Sequence, residues 1–267
     1  MSDVNTSSSV RMRTPRIRPS TGPALLVVIL YAAVFTATAT SSGIPYTDWF
    51  ASGANVWRCA VLPLVLGAIV LVGFLWWSRW DHVFHDKERL PVPIILRIAA
   101  IAFIVGIIVH LVFVGWSGLR VDLLIPILVT GILVGFCEET LFRGILLRGL
   151  RADGRTEATV AIGTSVIFGL FHLTNLITGS PAPAVLNQVL LATTTGAILY
   201  SFRRMRGLLL PAMIAHGLWD ISLFLPPAEP TTTSSLISFA MLVIVPVLGL
   251  IALVTIAIKD RHAPSPA

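Results

Sequence analysis

Seven residues carry ionisable side chains in the interiors of stretches that are otherwise apolar: Glu138, Glu139, Arg143, His172, His216 and Asp220, gathered on three of them, and His110 alone on a fourth. Placing a charge at the centre of a bilayer costs at least about 2.5 to 3.5 kcal/mol, so each is by default a candidate for function. Their spacing says which can meet. Residues four apart share a helix face, which sets Glu139 over Arg143 and His216 over Asp220. Glu138 is turned about 100° from Glu139, so Arg143 neutralises Glu139 while Glu138 faces elsewhere. An apolar setting and neighbouring His or Arg push the charge of a carboxyl group in opposite directions, and between them can tune it into a general base toward water. Two histidines and a carboxylate can also hold Zn²⁺ or another divalent metal with a position left for water. The spacing leaves both routes open. Gly163-Thr164-Ser165 is not an activated-serine signature, and the chain has no HExxH.

The elements that must position these groups follow from composition. Of 267 residues, 55% are hydrophobic and only 12% charged, with a mean hydropathy of +0.87, far from the roughly 25% charge of soluble domains. Crossing about 30 Å of hydrocarbon takes roughly 20 apolar residues of helix. Such runs recur at 24–42, 56–77, 94–116, within 121–149, 158–178, 184–202, 207–225 and 236–258. The expected fold is an all-α, polytopic transmembrane bundle of about eight spans: a single domain over 24–258, between a disordered cytoplasmic segment at 1–23 and a short cytoplasmic tail at 259–267. The first span is expected to be an uncleaved anchor, its apolar stretch exceeding that of a signal peptide.

The net charge of +6 tests the topology, because Lys and Arg concentrate in cytoplasmic loops. Eight spans put both termini on one side. That side collects Arg11, Arg13, Arg16 and Arg18, the basic residues of 79–97, Arg148, Arg151, Arg155, Arg203, Arg204, Arg206, Lys259 and Arg261. Only Arg58 and Arg120 fall opposite, and Arg143 lies in the membrane. Both termini are therefore expected to be cytoplasmic, in what Arg-rich, Ala-rich usage suggests is a bacterial cell membrane. The basic excess is a topology signal, and nucleic acid is not a partner. At about 1.5 Å of rise per residue, the ionisable residues of three separate helices fall at a similar depth, roughly 15 to 22 Å from that side.

Glu138-Glu139-Thr-Leu-Phe-Arg143, Phe168-Gly-Leu-Phe-His172 and His216-Gly-Leu-Trp-Asp220 match EExxxR, FxxxH and HxxxN/D. Over roughly 120–225 the chain resembles the CAAX prenyl endopeptidase and bacteriocin-processing (CPBP, or Abi) family of intramembrane proteases. The resemblance implies an all-helical fold, an active site opening toward the cytoplasm, and peptide-bond cleavage in a membrane-embedded or lipid-modified substrate. It implies Glu138 as the base that activates water, assisted by His172, with His216 and Asp220 orienting the substrate and stabilising the oxyanion, or ligating a metal if one is used. An ionised Asp220 cannot donate to an oxyanion as an Asn would, which leaves it to be protonated, to bind a cation or to orient His216.

A different class of reading uses the same carboxylates and histidines in a non-catalytic membrane protein: a proton-coupled transporter, or an immunity or scaffold factor. Pro126 and Pro211 can break helices as transporters do, yet no internal repeat accompanies them. His110 reads as a neutral histidine bonded to a neighbouring helix, Phe168 as packing, and Gly135, Cys137 and Gly144 as helix-contact residues. His82 and His85 read as part of a solvated loop. Trp76, Trp77, Trp80 and Trp116 fit an interfacial belt. Thr193, Thr194, Thr195 and Gly196 suit either a substrate groove or helix packing.

Overall fold

The computed structural model describes residues 14–266. Arg11, Arg13 and most of the segment expected to be disordered lie outside them. The architecture is an all-helical polytopic bundle: α1 Thr21–Thr40, α2 Gly53–Ser78, α3 Ile94–Val112, α4 Val121–Ala152, α5 Glu157–Ile177, α6 Ala182–Arg206, α7 Leu210–Phe224 and α8 Thr232–Lys259. All but α7 are long and apolar enough to cross a membrane.

The seventh span is a correction. At 15 residues, α7 is roughly 22 Å long, short of the expected 207–225 and of the hydrocarbon thickness. Its flanks make up the distance. The Leu209 N–H donates to Phe84 O at one end of the bundle, while at the other Phe224 stacks on Phe50 at 4.1 Å and the Gly115 N–H donates to Pro226 O. Eight segments therefore connect the two ends, and the start of α1 and the end of α8 sit at the same one.

Local sequence accounts for the boundaries. Thr156 caps α5, its hydroxyl accepting from the Thr159 N–H, and Thr231 with Ser234 forms a capping box for α8. Gly207, at φ +65°, ends α6 in a left-handed turn. Pro211 sits in the first turn of α7, and Pro126 is accommodated inside α4, so neither breaks a span. The Asp153 carboxylate accepts from the Thr21 N–H at 2.8 Å and so caps α1 from another element. That bond holds the Asp153 carboxyl below its ordinary range.

The basic end is tied together by buried ion pairs. Asp86 accepts from Arg151 at 2.9 Å and from Arg203 at 2.6 Å; Glu157 pairs with Arg151 at 2.6 Å, and Arg204 with Asp260. The loop carrying Asp86, read from sequence as solvated, is thus partly folded into the bundle. Its His82 and His85 rings meet edge to face at 5.0 Å. Arg16 and Ile17, from the stretch expected to be disordered, are held as well: the Arg16 N–H donates to Ser78 O, and the Trp80 indole donates to Ile17 O. Trp80 is consequently buried, whereas Trp76, Trp77 and Trp116 are exposed as an aromatic belt requires.

Candidate active site

Glycine sets the distance between the two helices that matter most. On α4, Gly131 and Gly135 face Gly217 and Met213 of α7 so closely that a Cβ on Gly135 would stand 2.2 Å from Met213 O, and one on Gly217 would stand 2.5 Å from Gly131 O. Only hydrogen fits there, and the backbones touch as in small-xxx-small membrane contacts. This approach brings His216 of α7 against the acidic pair of α4.

The pair divides its labour as the spacing predicts. Glu139, fully buried, accepts through Oε1 from Arg143 Nη1 and from His216 Nδ1, each at 2.8 Å. A carboxylate bonded to guanidinium accepts, so Nδ1 of His216 is the donor and Nε2 is left for other work. Nε2 lies 3.9 Å from Glu138 Oε2 and 4.0 Å from Asp220 Oδ1. His216 therefore bridges both motif glutamates, a partnership the sequence did not reveal, and it is nearer to Glu139 than to Asp220.

Arg143 lies inside a π-helical stretch, Thr140–Leu146, that follows Glu139 directly. Wider turns of this kind disturb the ordinary backbone bonding and gather at functional sites. Here Arg203 Nη1 donates to the Arg143 carbonyl, and Arg143 Nη2 donates to Gly196 O on α6 at 3.0 Å. The Arg143 guanidinium also lies 4.3 Å from the Phe168 ring centroid, a cation–π contact. Phe168, read as packing, meets the rings of His172 and His216 edge to face at 5.1 and 5.5 Å. One aromatic ring thus spaces three of the candidate side chains.

His172 sits where α5 turns, and its Nδ1–H donates to Phe168 O at 3.0 Å. A carbonyl can only accept, which fixes the proton on Nδ1 and leaves Nε2 available. His172, Glu138, His216 and Asp220 all line one cavity of about 650 Å³, whereas Glu139 and Arg143 lie behind it. The cavity wall is largely aromatic and aliphatic, with Thr130, Thr174, Asn175, Gln188, Thr195 and Ser238 among its uncharged polar groups. Asn175 donates to Gln188 at 2.8 Å. Sequence reasoning passed over both, although amides within apolar helices are a signal that can be read.

Other expectations find their places here. The His110 ring lies 3.3 Å from Ser222 Oγ on α7 and also borders the cavity. The threonine patch divides: Thr195 lines the cavity, Thr193 and Thr194 crowd Gly169 and Gly249, and Gly196 leaves room for Arg143. The cavity-lining donors, the three imidazoles of His110, His172 and His216 and the two carboxylates of Glu138 and Asp220, are of types that zinc accepts. Among the described residues, however, no three His, Cys, Asp or Glu side chains converge as a metal ion requires.

Each helix lines the cavity from the half toward one end of the bundle or from its middle, where Glu138, Thr195, His216 and Pro246 stand. Phe35 belongs to the C-terminal half of α1, Phe171 and His172 to the end of α5, Gln188 to the start of α6, and Phe224 to the end of α7. All lie toward the end opposite the termini, where Tyr46 and Phe50 complete the rim. Burial pushes the Tyr46 phenol up to about 12, so it stands there as a neutral O–H. Cytoplasmic termini and a cytoplasmic opening, both expected from sequence, exclude one another in this architecture.

No curated protein and no solved structure matches the chain. A family model does, over residues 120–222, and its description is Rce1-like: Type II CAAX prenyl endopeptidase Rce1-like. That stretch holds Glu138, Glu139, Arg143, His172, His216 and Asp220, so the segment carrying all three motifs is similar to the Rce1-like family of type II CAAX prenyl endopeptidases, as the motifs themselves indicated.

Proposed function

We propose that the protein is an intramembrane endopeptidase of the CAAX protease-like type, with Glu138 as the base that activates water. The observation carrying this reading is the contrast between adjacent glutamates. Glu139 is engaged by Arg143 and His216, whereas Glu138 borders the cavity with His216 Nε2 3.9 Å away. In the reaction, Glu138 takes a proton from water as the oxygen attacks the scissile carbonyl, with His172 Nε2 as a second acceptor. His216, oriented by Glu139 and protonated on both ring nitrogens, donates its Nε2–H to the oxyanion, and the nearby Asp220 steadies that imidazolium. The proton held by Glu138 then passes to the departing nitrogen as the C–N bond breaks, leaving a carboxylic acid and an amine.

The substrate in this reading is a membrane-embedded or lipid-anchored polypeptide, because the cavity wall favours apolar side chains. The test uses purified protein in detergent with a quenched fluorogenic library of membrane peptides, comparing wild type with Glu138→Gln, His172→Ala and His216→Ala. Cleavage by wild type that falls at least 100-fold in Glu138→Gln is expected, within the range for removing a general base. Equal cleavage by wild type and Glu138→Gln overturns the reading.

A further inference from the structure

The side from which the chamber is reached can be read from two independent features. The first is charge. Apart from Arg143 within the membrane, and Arg58 and Arg120 at the opposite end, the basic residues among those described sit at the end where α1 begins and α8 finishes, and Arg120 is already paired to Asp122 at 2.8 Å. Lys and Arg flanking membrane spans mark the cytoplasmic face. The second feature is the chamber itself, whose lining runs from the far end of the bundle to the middle of the helices, with Glu138 and His216 at its floor.

A lateral opening lies on that same far half. The first buried residue of α8 is Val245, so its N-terminal stretch from Thr232 to Ile244 contributes nothing to the core. Pro246 follows within the helix, removing a backbone donor where the exposed stretch joins the packed one. Phe239 and Leu242 of that stretch, and Leu223 of α7, border the cavity yet remain exposed. The chamber is thus open beside α8 and closed toward the basic end, where Arg203, Asp86 and Arg151 fill the space.

From this juxtaposition we propose that the chamber takes its polypeptide substrate from the extracytoplasmic face, or from the half of the bilayer next to it, rather than from the side that holds the termini. The substrates are then segments of exported or membrane-anchored chains. What happens in the chamber rests on the endopeptidase reading, but the direction of access does not.

The experiment labels single added cysteines in spheroplasts with a charged, membrane-impermeant maleimide. Cys59 and Cys137 are fully buried and stay in place, with the unaltered protein as the control for their silence. Thr47→Cys and Glu229→Cys report the far end, Glu88→Cys the basic end, and Gln188→Cys the chamber wall. The expected result is labelling of the cysteines at 47, 229 and 188 in intact spheroplasts, and of that at 88 only after lysis. Labelling at 88 in intact spheroplasts, with 47 and 229 protected until lysis, overturns the proposal. Labelling at 47 and 229 with 188 silent even after lysis overturns access to the chamber from that face. Neither readout needs peptide cleavage, so a wild type that fails the peptide assay removes the endopeptidase reading without deciding the direction.

Discussion

Arg203 donates to the backbone carbonyl of Arg143, the residue whose guanidinium neutralises Glu139. The same Arg203 side chain is paired with Asp86 at 2.6 Å and donates to Val83 O at 2.6 Å. One guanidinium thus fastens the loop between α2 and α3 to the π-helical turn behind the candidate site. Replacing Arg203 with Ala leaves the buried Asp86 with one partner fewer and the turn's carbonyl unbonded. The expected cost is about 3 to 5 kcal/mol, read as a lowered thermal midpoint in detergent. Arg203→Lys should recover little of it, because a point charge cannot reach three acceptors at once.

Glu139 and Arg143 form a pair with no exposed surface. Removing either partner strands the other, so Glu139→Gln and Arg143→Met are each expected to destabilise by about 3 to 5 kcal/mol. The double variant should cost clearly less than the two single effects together, giving a coupling of at least about 1 kcal/mol. Additive losses in a double-mutant cycle would mean that the pair is not energetically linked.

Glu138 should behave in the opposite way. It borders the cavity, and its ionic partner His216 Nε2 stands 3.9 Å away, beyond hydrogen-bond reach, so Glu138→Gln is expected to change stability by no more than about 0.5 kcal/mol, read as a nearly unchanged thermal midpoint, while peptide cleavage is lost. A stability loss as large as that of Glu139→Gln would show that both glutamates are structural.

Gly135→Ala inserts one methyl group 2.2 Å from Met213 O. A backbone atom cannot swing aside, and α4 must separate from α7. Overpacking of this kind costs about 1 to 3 kcal/mol. Because it also pulls His216 from Glu139, activity should fall further than the stability loss explains, measured as kcat at a temperature where the variant remains folded.

Chelation addresses the metal expected as one option. The cavity's imidazoles and carboxylates do not converge in threes among the described residues, so a strong chelator should leave cleavage unchanged. Loss of activity with recovery on adding Zn²⁺ would show that the donors draw together around an ion.

How much of this was legible in the sequence depended on whether the signal was local. The ion pair of Glu139 and Arg143 was readable because four residues along a helix fix two side chains on one face. The separate duty of Glu138 followed from the same geometry. The second bond of Glu139, to His216, joins residues 77 positions apart, and no spacing within one helix announces it. The burial of Asp86, in the loop of His82 and His85 expected to be solvated, was hidden for a related reason: its partners Arg151 and Arg203 arrive from distant helices. Helix identity was clear from hydropathy, but the length of α7 was not, since apolar flanking loops read like more helix. The position of the chamber depended on which half of each helix is uncovered, a property of the assembled bundle alone.

The bare contact of α4 with α7 has a consequence for what can vary. Gly131, Gly135 and Gly217 meet main chain to main chain, so the register of the acidic pair against His216 is fixed by backbone and not by the rotamers of neighbouring side chains. Gln188, Thr195 and Phe239, which line the cavity, stand on other helices. In the proposed endopeptidase, selectivity and reactivity would therefore be built on different surfaces, and the walls could be rewritten for a new substrate while the acidic pair keeps its alignment.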